Sequence, residues 1–483
     1  MTDTEQHSTA TDPALLDALR EQVQGALPAT IADLSALVRL PSVSWSAFDP
    51  ANVRASAEAV ADLARSTGVF GADDVRIIRS AFDGSTAAVA EADAATGLGQ
   101  PAVLAVRPAR NGKPTVMLYA HHDVQPQGDD ALWETPPFEP TLRGDRLYGR
   151  GASDDKAGVM THIASLRAIH AQFGDDLDLG VVLFVEGEEE FGSRSFRTFL
   201  REQKEHLAAD VIVVADSDNW SVDVPSITVS LRGNVTFKLT LTTLEHASHS
   251  GMFGGAAPDA MIPMVKLLSS LHDDAGSVAV EGLTSYDADV PDRTDDELAA
   301  DAALLPGVRP IGTGAVLSRM WFQPSITVTG MDVPSVANAS NTLLPTVSAR
   351  VSVRIAPGQD GPAAYAAVER HLREHVPFGA KLEITEADSG DGFLVDTAGW
   401  AVQEARTAMR EGWGAEAVEQ GIGGSIPFVS DLAAEFPEAQ ILVTGVEDPD
   451  TRAHSPNESQ HLGVLHRAIA SETILLARLA TRS

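Results

Sequence analysis

The chain has 483 residues, 44% of them hydrophobic, enough for two domains with sizeable cores. Its 68 acidic residues against 35 basic ones give a net charge of -33, which argues against nucleic acid or an anionic membrane as partner and suits a protein that attracts cations. There is no cysteine, so disulfides and thiolate metal sites are excluded, and any metal must be held by His, Asp or Glu. Met1–Ser8 has neither a basic start nor an apolar core, and no run of 18 apolar residues occurs. No signal peptide or transmembrane helix is therefore expected, and a cytoplasmic location is.

After a polar opening, apolar residues recur at helical spacing through Leu15, Leu16 and Leu19, and again at Ile31, Leu34, Leu37 and Val38. This predicts two helices, the second ended by Pro41. Ala55–Thr67 reads as another helix. Thr115–Tyr119 reads as a short buried strand, followed at once by His121-His122-Asp123. The glycine-rich loop Gly149–Gly158 feeds a helix in which Val159, Ile163, Leu166 and Ile169 share one face. Val181–Val185 has the composition of a strand buried on both faces, and runs into Glu186, Glu188, Glu189 and Glu190. Val211–Ala215 is a further strand ending at Asp216. The alternation predicts an α/β fold, a mostly parallel sheet with helices on both faces. Ligands in such sheets bind beyond the carboxyl ends of the strands, where His121, Glu189, Glu190 and Asp216 fall.

The pattern changes near Ser226. Asn234–Thr242 alternates with period two, as do Ser325–Thr329 and Val347–Ile355. Pro258–Leu271 and Ala363–His375 read as helices, Lys381–Thr385 as a strand, and residues 273–320 as an insertion or long loop. An α+β module over 228–393 is thus expected to interrupt a first domain made of 1–227 and 394–483. The α/β style returns with a helix at Trp400–Gly412 and a strand at Gln440–Thr444.

Four carboxylates at the mouth of a buried strand repel one another and resist desolvation, so a positive partner is required. The Val181–Ser193 stretch holds no lysine, which leaves a divalent metal cluster as the sharper reading. In extended chain Glu189 and Glu190 would point to opposite sides, one to metal and one to substrate. The candidate ligands are His121, Asp154, Glu190, Asp216 and His454. Imidazole with carboxylate suits zinc, manganese or cobalt. Five protein ligands are too many for one catalytic zinc and fit two ions that share a bridging carboxylate. Asp218 is the alternative to Asp216, and His122 reads as a packed neighbour. The other histidines read as structural. Gly149-Arg-Gly lacks the Gly-Lys-Ser/Thr of a phosphate loop, and no Gly-x-Ser-x-Gly elbow is present.

Six segments occur in order: Tyr119–Pro126, Tyr148–Lys156, Glu186–Ser193, Ser248–Gly251, Gly423–Pro427 and Ala453–Glu458. Together they resemble the co-catalytic di-metal peptidase family of carnosine dipeptidase, aminoacylase, succinyl-diaminopimelate desuccinylase and glutamate carboxypeptidase. Asp-Asp-Lys and Gly-Gly-Ser-Ile-Pro point to the carnosine-dipeptidase branch. The resemblance implies a metal-dependent hydrolase of dipeptides or short peptides with a free C-terminal carboxylate. It places His121 and Asp216 on one ion, Glu190 and His454 on the other, and Asp154 between them; zinc is the first expectation for both ions. Asp123 would orient the ligands from behind. Glu189 would be the general base for water held between the ions, and a cis peptide is implied at Asp154–Asp155. The inserted module would be a lid and dimerisation domain, whose His249 reaches across a homodimer interface to the oxyanion. Arg354 would clamp the substrate carboxylate, and Thr342, Gly424 and Ser425 would bind substrate backbone. Gly421-Ile422 stands where the branch has Arg-Glu, which leaves the preferred substrate open. The alternatives are an N-acyl-amino-acid amidohydrolase and an inactive metal- or peptide-binding protein.

Overall fold

The computed structural model of the protein describes residues 10–82, 97–423 and 427–482. The chain divides into two compact units. Unit 1 is Met1–Val229, Val395–Gln420 and Asp431–Ser483; unit 2 is Ser230–Leu394 and Gly421–Ser430. Among the described residues, no helix is long and apolar enough to cross a membrane.

Unit 1 is an α/β layer. Its sheet runs Val75–Ile78, Ala102–Arg107, Gly180–Glu186, Thr115–His121, Val211–Asp218, Gln440–Glu447 and then Ser226–Leu231. The pairings among the four strands from Gly180–Glu186 to Gln440–Glu447 are parallel, and the outer ones are antiparallel. All four parallel strands therefore end on the same side. Every residue of Gly180–Glu186 is buried, which requires cover on both faces of the sheet. Phe184 stacks on Phe199 of the helix Phe196–Glu202 at 4.6 Å between ring centroids.

The helix Lys156–Phe173 packs on Thr115–His121 and Val211–Asp218. Asp155 caps it, its Oδ1 accepting the Gly158 N–H at 3.1 Å. A Cβ on Gly158 would lie 2.2 Å from the Ala215 carbonyl oxygen, so only glycine allows helix and strand to come this close. The predicted face of Val159, Ile163, Leu166 and Ile169 is buried, and so is the rest of the first three turns.

Pro13–Val38 is one helix, where the sequence pattern suggested two. Pro28 inside it removes one backbone hydrogen bond. The helix continues because Leu19, Val23, Leu34, Leu37 and Val38, on both sides of Pro28, are all buried. Val211–Asp218 runs past Asp216, so that residue lies within the strand.

Unit 2 is built on a four-stranded antiparallel sheet ordered Ser325–Asp332, Thr346–Ile355, Gly233–Thr242, Lys381–Gly390. Gly233–Thr242 alternates strictly between buried and half-buried residues. Val235, Phe237, Leu239 and Leu241 on that strand join Val351 and Val353 in a core with Met264, Leu267, Val368 and Leu372 from two helices, Met261–Ser269 and Gly361–Glu374. The stretch 273–320 is not all loop: it carries the short helices Asp295–Asp301 and Val316–Trp321. The first is started by a capping box, Thr294 with Glu297, that accounts for part of the acidic run there.

Candidate metal centre

Five side chains of unit 1 meet beyond the carboxyl ends of the parallel strands. They form two triads, His121–Asp154–Asp216 and Asp154–Glu190–His454, with the ligand atoms in each within 4.8 Å of one another. Asp154 belongs to both. Its Oδ1 lies 3.2 Å from His121 Nε2, and its Oδ2 lies 2.9 Å from His454 Nε2. Asp216 Oδ1 is 3.8 Å from His121 Nε2, and Glu190 Oε2 is 3.2 Å from His454 Nε2. Asp218 is in neither triad; it faces Glu447 instead.

The backbone that presents these groups is tied down. The Asp154–Asp155 peptide is cis. Glu458 Oε1 accepts the Ser153 and Asp154 N–H groups at 3.1 and 3.2 Å, while its Oε2 pairs with Arg150 at 2.6 Å; both side chains are buried. Asp155 Oδ2 accepts the His121 N–H at 3.1 Å. His454 sits at φ 61°, a left-handed conformation that is strained for a non-glycine residue.

Asp123 lies behind the five clustered side chains. Its Oδ1 accepts the Glu189 N–H at 3.1 Å, and its Oδ2 accepts the Glu190 N–H at 3.2 Å and the Ser44 hydroxyl at 2.7 Å. His121 Nδ1 is 3.1 Å from the Asp123 carbonyl oxygen. A proton on Nδ1 donated there leaves Nε2 as the ligand atom.

The four glutamates divide two and two. Glu186 accepts the Tyr119 hydroxyl at 2.6 Å. Glu188 accepts from Gln100 N, Ser195 N and Oγ, and Arg194 Nη2. The positive partner sought for the stretch is thus partly Arg194, one residue past it. Glu189 and Glu190 are not in extended chain: they open a 3₁₀ turn, Glu189–Phe191, held by Asp123. They diverge because consecutive residues of such a turn point about 120° apart. Glu190 enters a triad, and Glu189 does not, although its Oε2 is 3.9 Å from His121 Nε2.

Electrostatics fit a cation. Burial pushes Asp216 up to about 6, Glu190 to about 7 and Glu189 well above the usual carboxylate range. Burial would raise Asp154 too, but hydrogen bonds from His121 and His454 outweigh it and hold Asp154 well below that range. Hydrogen bonds to Asp154 and Glu190 drive His454 up to about 11. A site this crowded with carboxylate draws protons, which divalent ions would displace. Two imidazole nitrogens and three carboxylates, one shared, match the borderline N/O donor set of zinc, manganese and cobalt.

His122 is a packed neighbour, its Nε2 2.9 Å from the Pro101 carbonyl oxygen; burial lowers it to about 4. His162 is structural, bound to Glu472 and to the Tyr119 carbonyl oxygen. Gln125 was not singled out from sequence, yet its N–H and Nε2 donate to the two oxygens of Glu190 at 3.0 and 2.7 Å. Its place in His-His-Asp-Val-Gln-Pro was visible; the direction of an amide side chain is not. Ser44, Arg150 and Glu458 escaped for the same reason.

The remaining candidates belong to unit 2. His249 is exposed, caps Ser250–Phe253 through Nδ1, and pairs across two short strands with Thr342. Arg354 is half-buried on Thr346–Ile355, opposite Ser325 on one side and Asn234 on the other. Gly424 and Ser425 lie outside the described residues.

Comparison with known proteins gives a consistent picture. The profile described as "Peptidase family M20/M25/M40" matches residues 117–478. The chain is 35% identical over 382 residues to the cysteinylglycine-S-conjugate dipeptidase of Corynebacterium striatum, covering 77% of this chain and 83% of the relative. It is 28% identical over 376 residues to the Beta-Ala-His dipeptidase of Homo sapiens, covering 74% and 73%. The solved structure of the dipeptidase Dug1p from Saccharomyces cerevisiae shares the fold, with a TM-score of 0.76 at 21% identity over 96% of this chain and 98% of that one.

Proposed function

The chain belongs to peptidase family M20/M25/M40, and from that premise we propose that it is a di-metal dipeptidase acting on dipeptides with a free C-terminal carboxylate. The observation that carries the reading is Asp154, with one oxygen in each of two His–carboxylate triads. His121 and Asp216 would hold one ion and Glu190 and His454 the other, with Asp154 shared between the two sites. Zinc heads the order of expected metals, since two imidazoles with carboxylates form its common catalytic set.

Two divalent ions bound there would polarise the scissile carbonyl and make water nucleophilic near neutral pH. Glu189 takes the proton of the attacking water and passes it to the leaving amine. It stands beside the triads without joining either, and its raised pKa suits a group that must both accept and give a proton. Asp123 fixes Glu189 and Glu190 by their backbone N–H groups. His249 donates to the developing oxyanion. Arg354 takes the substrate carboxylate through a planar two-donor contact, and Thr342, Gly424 and Ser425 hold the peptide backbone. A homodimer forms through unit 2, where Ser325–Asp332 is an outer strand exposing Val328 and the helix Met261–Ser269 exposes Ile262 and Val265.

The test is Glu189→Gln, assayed on a dipeptide panel beside N-acetyl and N-succinyl amino acids. The variant should keep its metal by elemental analysis and lose about 10²–10⁴-fold in turnover. Normal turnover would remove Glu189 from the mechanism. A wild-type preference for N-acyl amino acids over dipeptides would move the enzyme to the amidohydrolases.

A further inference from the structure

In unit 1, the segment Ser42-Val43-Ser44-Trp45 runs beside His122-Asp123-Val124. Val43 pairs with Val124 in a single parallel bridge, and the Val124 N–H donates to the Ser42 carbonyl oxygen at 3.1 Å. Ser42 Oγ donates to the His122 carbonyl oxygen at 2.6 Å, and Ser44 Oγ to Asp123 Oδ2 at 2.7 Å. Gln100 joins the same segment to the glutamate stretch: its Nε2 reaches the Ser44 carbonyl oxygen at 3.5 Å, and its N–H donates to Glu188 at 3.2 Å. Ser42, Val43 and Ser44 are buried, and Trp45 is half-buried. Buried hydroxyls with satisfied bonds give the segment one conformation, and that fixes where Trp45 stands.

The Trp45 ring lies against Phe191, 4.8 Å between centroids at an interplanar angle of 34°. The Arg194 guanidinium is 4.3 Å from the Phe191 centroid and 4.8 Å from that of Phe82, and it is paired with Glu188. Ring pairs and cations over rings have preferred geometries, so these contacts direct the Phe191 ring as well as bury it. Phe191 closes the turn Glu189–Phe191. Consecutive side chains of such a turn point about 120° apart, so a rotation of the turn swings Glu189, Glu190 and Phe191 together. A fixed Phe191 ring therefore fixes the other two. Asp123 holds the same turn by two N–H groups, and Ser44 holds Asp123. Two adjacent residues, Ser44 and Trp45, thus grip the backbone anchor of the turn and its side-chain anchor.

We propose that Trp45 is a positioning residue for hydrolysis: its ring, acting through Phe191, sets the rotation of the turn that carries Glu189 and Glu190. This rests on the reading of Glu189 as general base. Glu190 has a further restraint, the two hydrogen bonds from Gln125. Loss of the Trp45 ring therefore misdirects Glu189 above all. A misplacement of about 1 Å at the reacting groups costs about 100-fold in rate, and here it falls on kcat.

The test compares wild type with Trp45→Leu, Trp45→Phe, Phe191→Leu, the double variant Trp45→Leu with Phe191→Leu, and Glu189→Gln. Zinc-loaded proteins are assayed on L-alanylglycine, zinc content is read by elemental analysis, and amide exchange of the segment 186–193 is followed in metal-free protein. Trp45→Leu keeps apolar bulk but no ring. It should lose about 10–100-fold in kcat, with KM within about threefold and zinc content unchanged. Its Glu189 and Glu190 amides should exchange about tenfold faster than in wild type. Trp45→Phe restores a ring and should recover most of the kcat, and the double variant should be no slower than the slower single. Wild-type kcat in Trp45→Leu, a loss carried by KM or by missing zinc, equal losses in the leucine and phenylalanine variants, or losses that multiply in the double variant each overturn the proposal. If Trp45→Leu fails to fold, Phe191→Leu decides: unchanged kcat and unchanged exchange there overturn it as well. Normal kcat in Trp45→Leu beside an inactive Glu189→Gln removes Trp45 and leaves the general base standing. Normal turnover in Glu189→Gln removes the base itself, and with it the group that Trp45 is proposed to place.

Discussion

Replacing Arg150 by methionine should destabilise unit 1 far more than a surface change would. Arg150 is 1% exposed, and its partner Glu458 is fully buried at 2.6 Å. Removing the cation leaves a buried carboxylate held chiefly by backbone N–H groups, those of Gly151, Ser153 and Asp154. Breaking one half of such a pair costs about 3–5 kcal/mol. At roughly 2 °C per kcal/mol for a unit of this size, the melting temperature should fall by about 6–10 °C. The double variant Arg150→Met with Glu458→Met removes both charges, so it should recover part of that loss in a double-mutant cycle. The assay is chemical denaturation of metal-free protein followed by circular dichroism. A single variant within about 1 kcal/mol of wild type, or a double variant whose loss equals the sum of the two singles, would refute the pairing argument.

Three further outcomes are expected. The His162–Glu472 pair gives a pH signature: burial opposes charge on His162, but Glu472 and the Tyr119 carbonyl oxygen outweigh it and raise the pKa. Its contribution is full below the unfolded value and fades as pH rises through the raised folded one, so the stability gap between wild type and His162→Gln should narrow as pH rises above about 6.5; a gap that widens contradicts this. Gly158→Ala should cost about 1–3 kcal/mol by overpacking against the Ala215 carbonyl oxygen, read from the denaturation midpoint; a neutral substitution would mean the helix can move away freely. His121→Ala should bind fewer than two equivalents of zinc by elemental analysis, and chelation should lower the melting temperature of wild type but much less that of the variant; unchanged zinc content would remove His121 from the ligands.

The strand ends and the five side chains that cluster beyond them were legible because each rests on a local pattern: an apolar run, then a His, Asp or Glu among small residues. What sequence could not show is how neighbours share the work. Glu186, Glu188, Glu189 and Glu190 look alike in the chain, yet Tyr119 and Arg194 engage the first two and the Asp123 carboxylate holds the turn of the others. These are tertiary partners from other elements. Gln125 and Glu458 stood in plain view within recognised segments, but a hydrogen bond needs a direction, and direction belongs to the fold. Pro28 shows the converse: a strong local signal for a break was overruled because apolar residues on both sides of it found a common core.

Gln440–Glu447 lies between Val211–Asp218 and Ser226–Leu231, although more than 200 residues separate it from both in the chain. The gap between those two strands is thus filled by a segment made long after both of them, and His454 arrives a few residues later. A growing polypeptide can finish unit 2 while its hydrolytic apparatus still lacks a strand, the His454 side chain and the Glu458 anchor. Proteolytic capacity would therefore switch on only after residues 440–458 have emerged, as a property of the order of the segments along the chain.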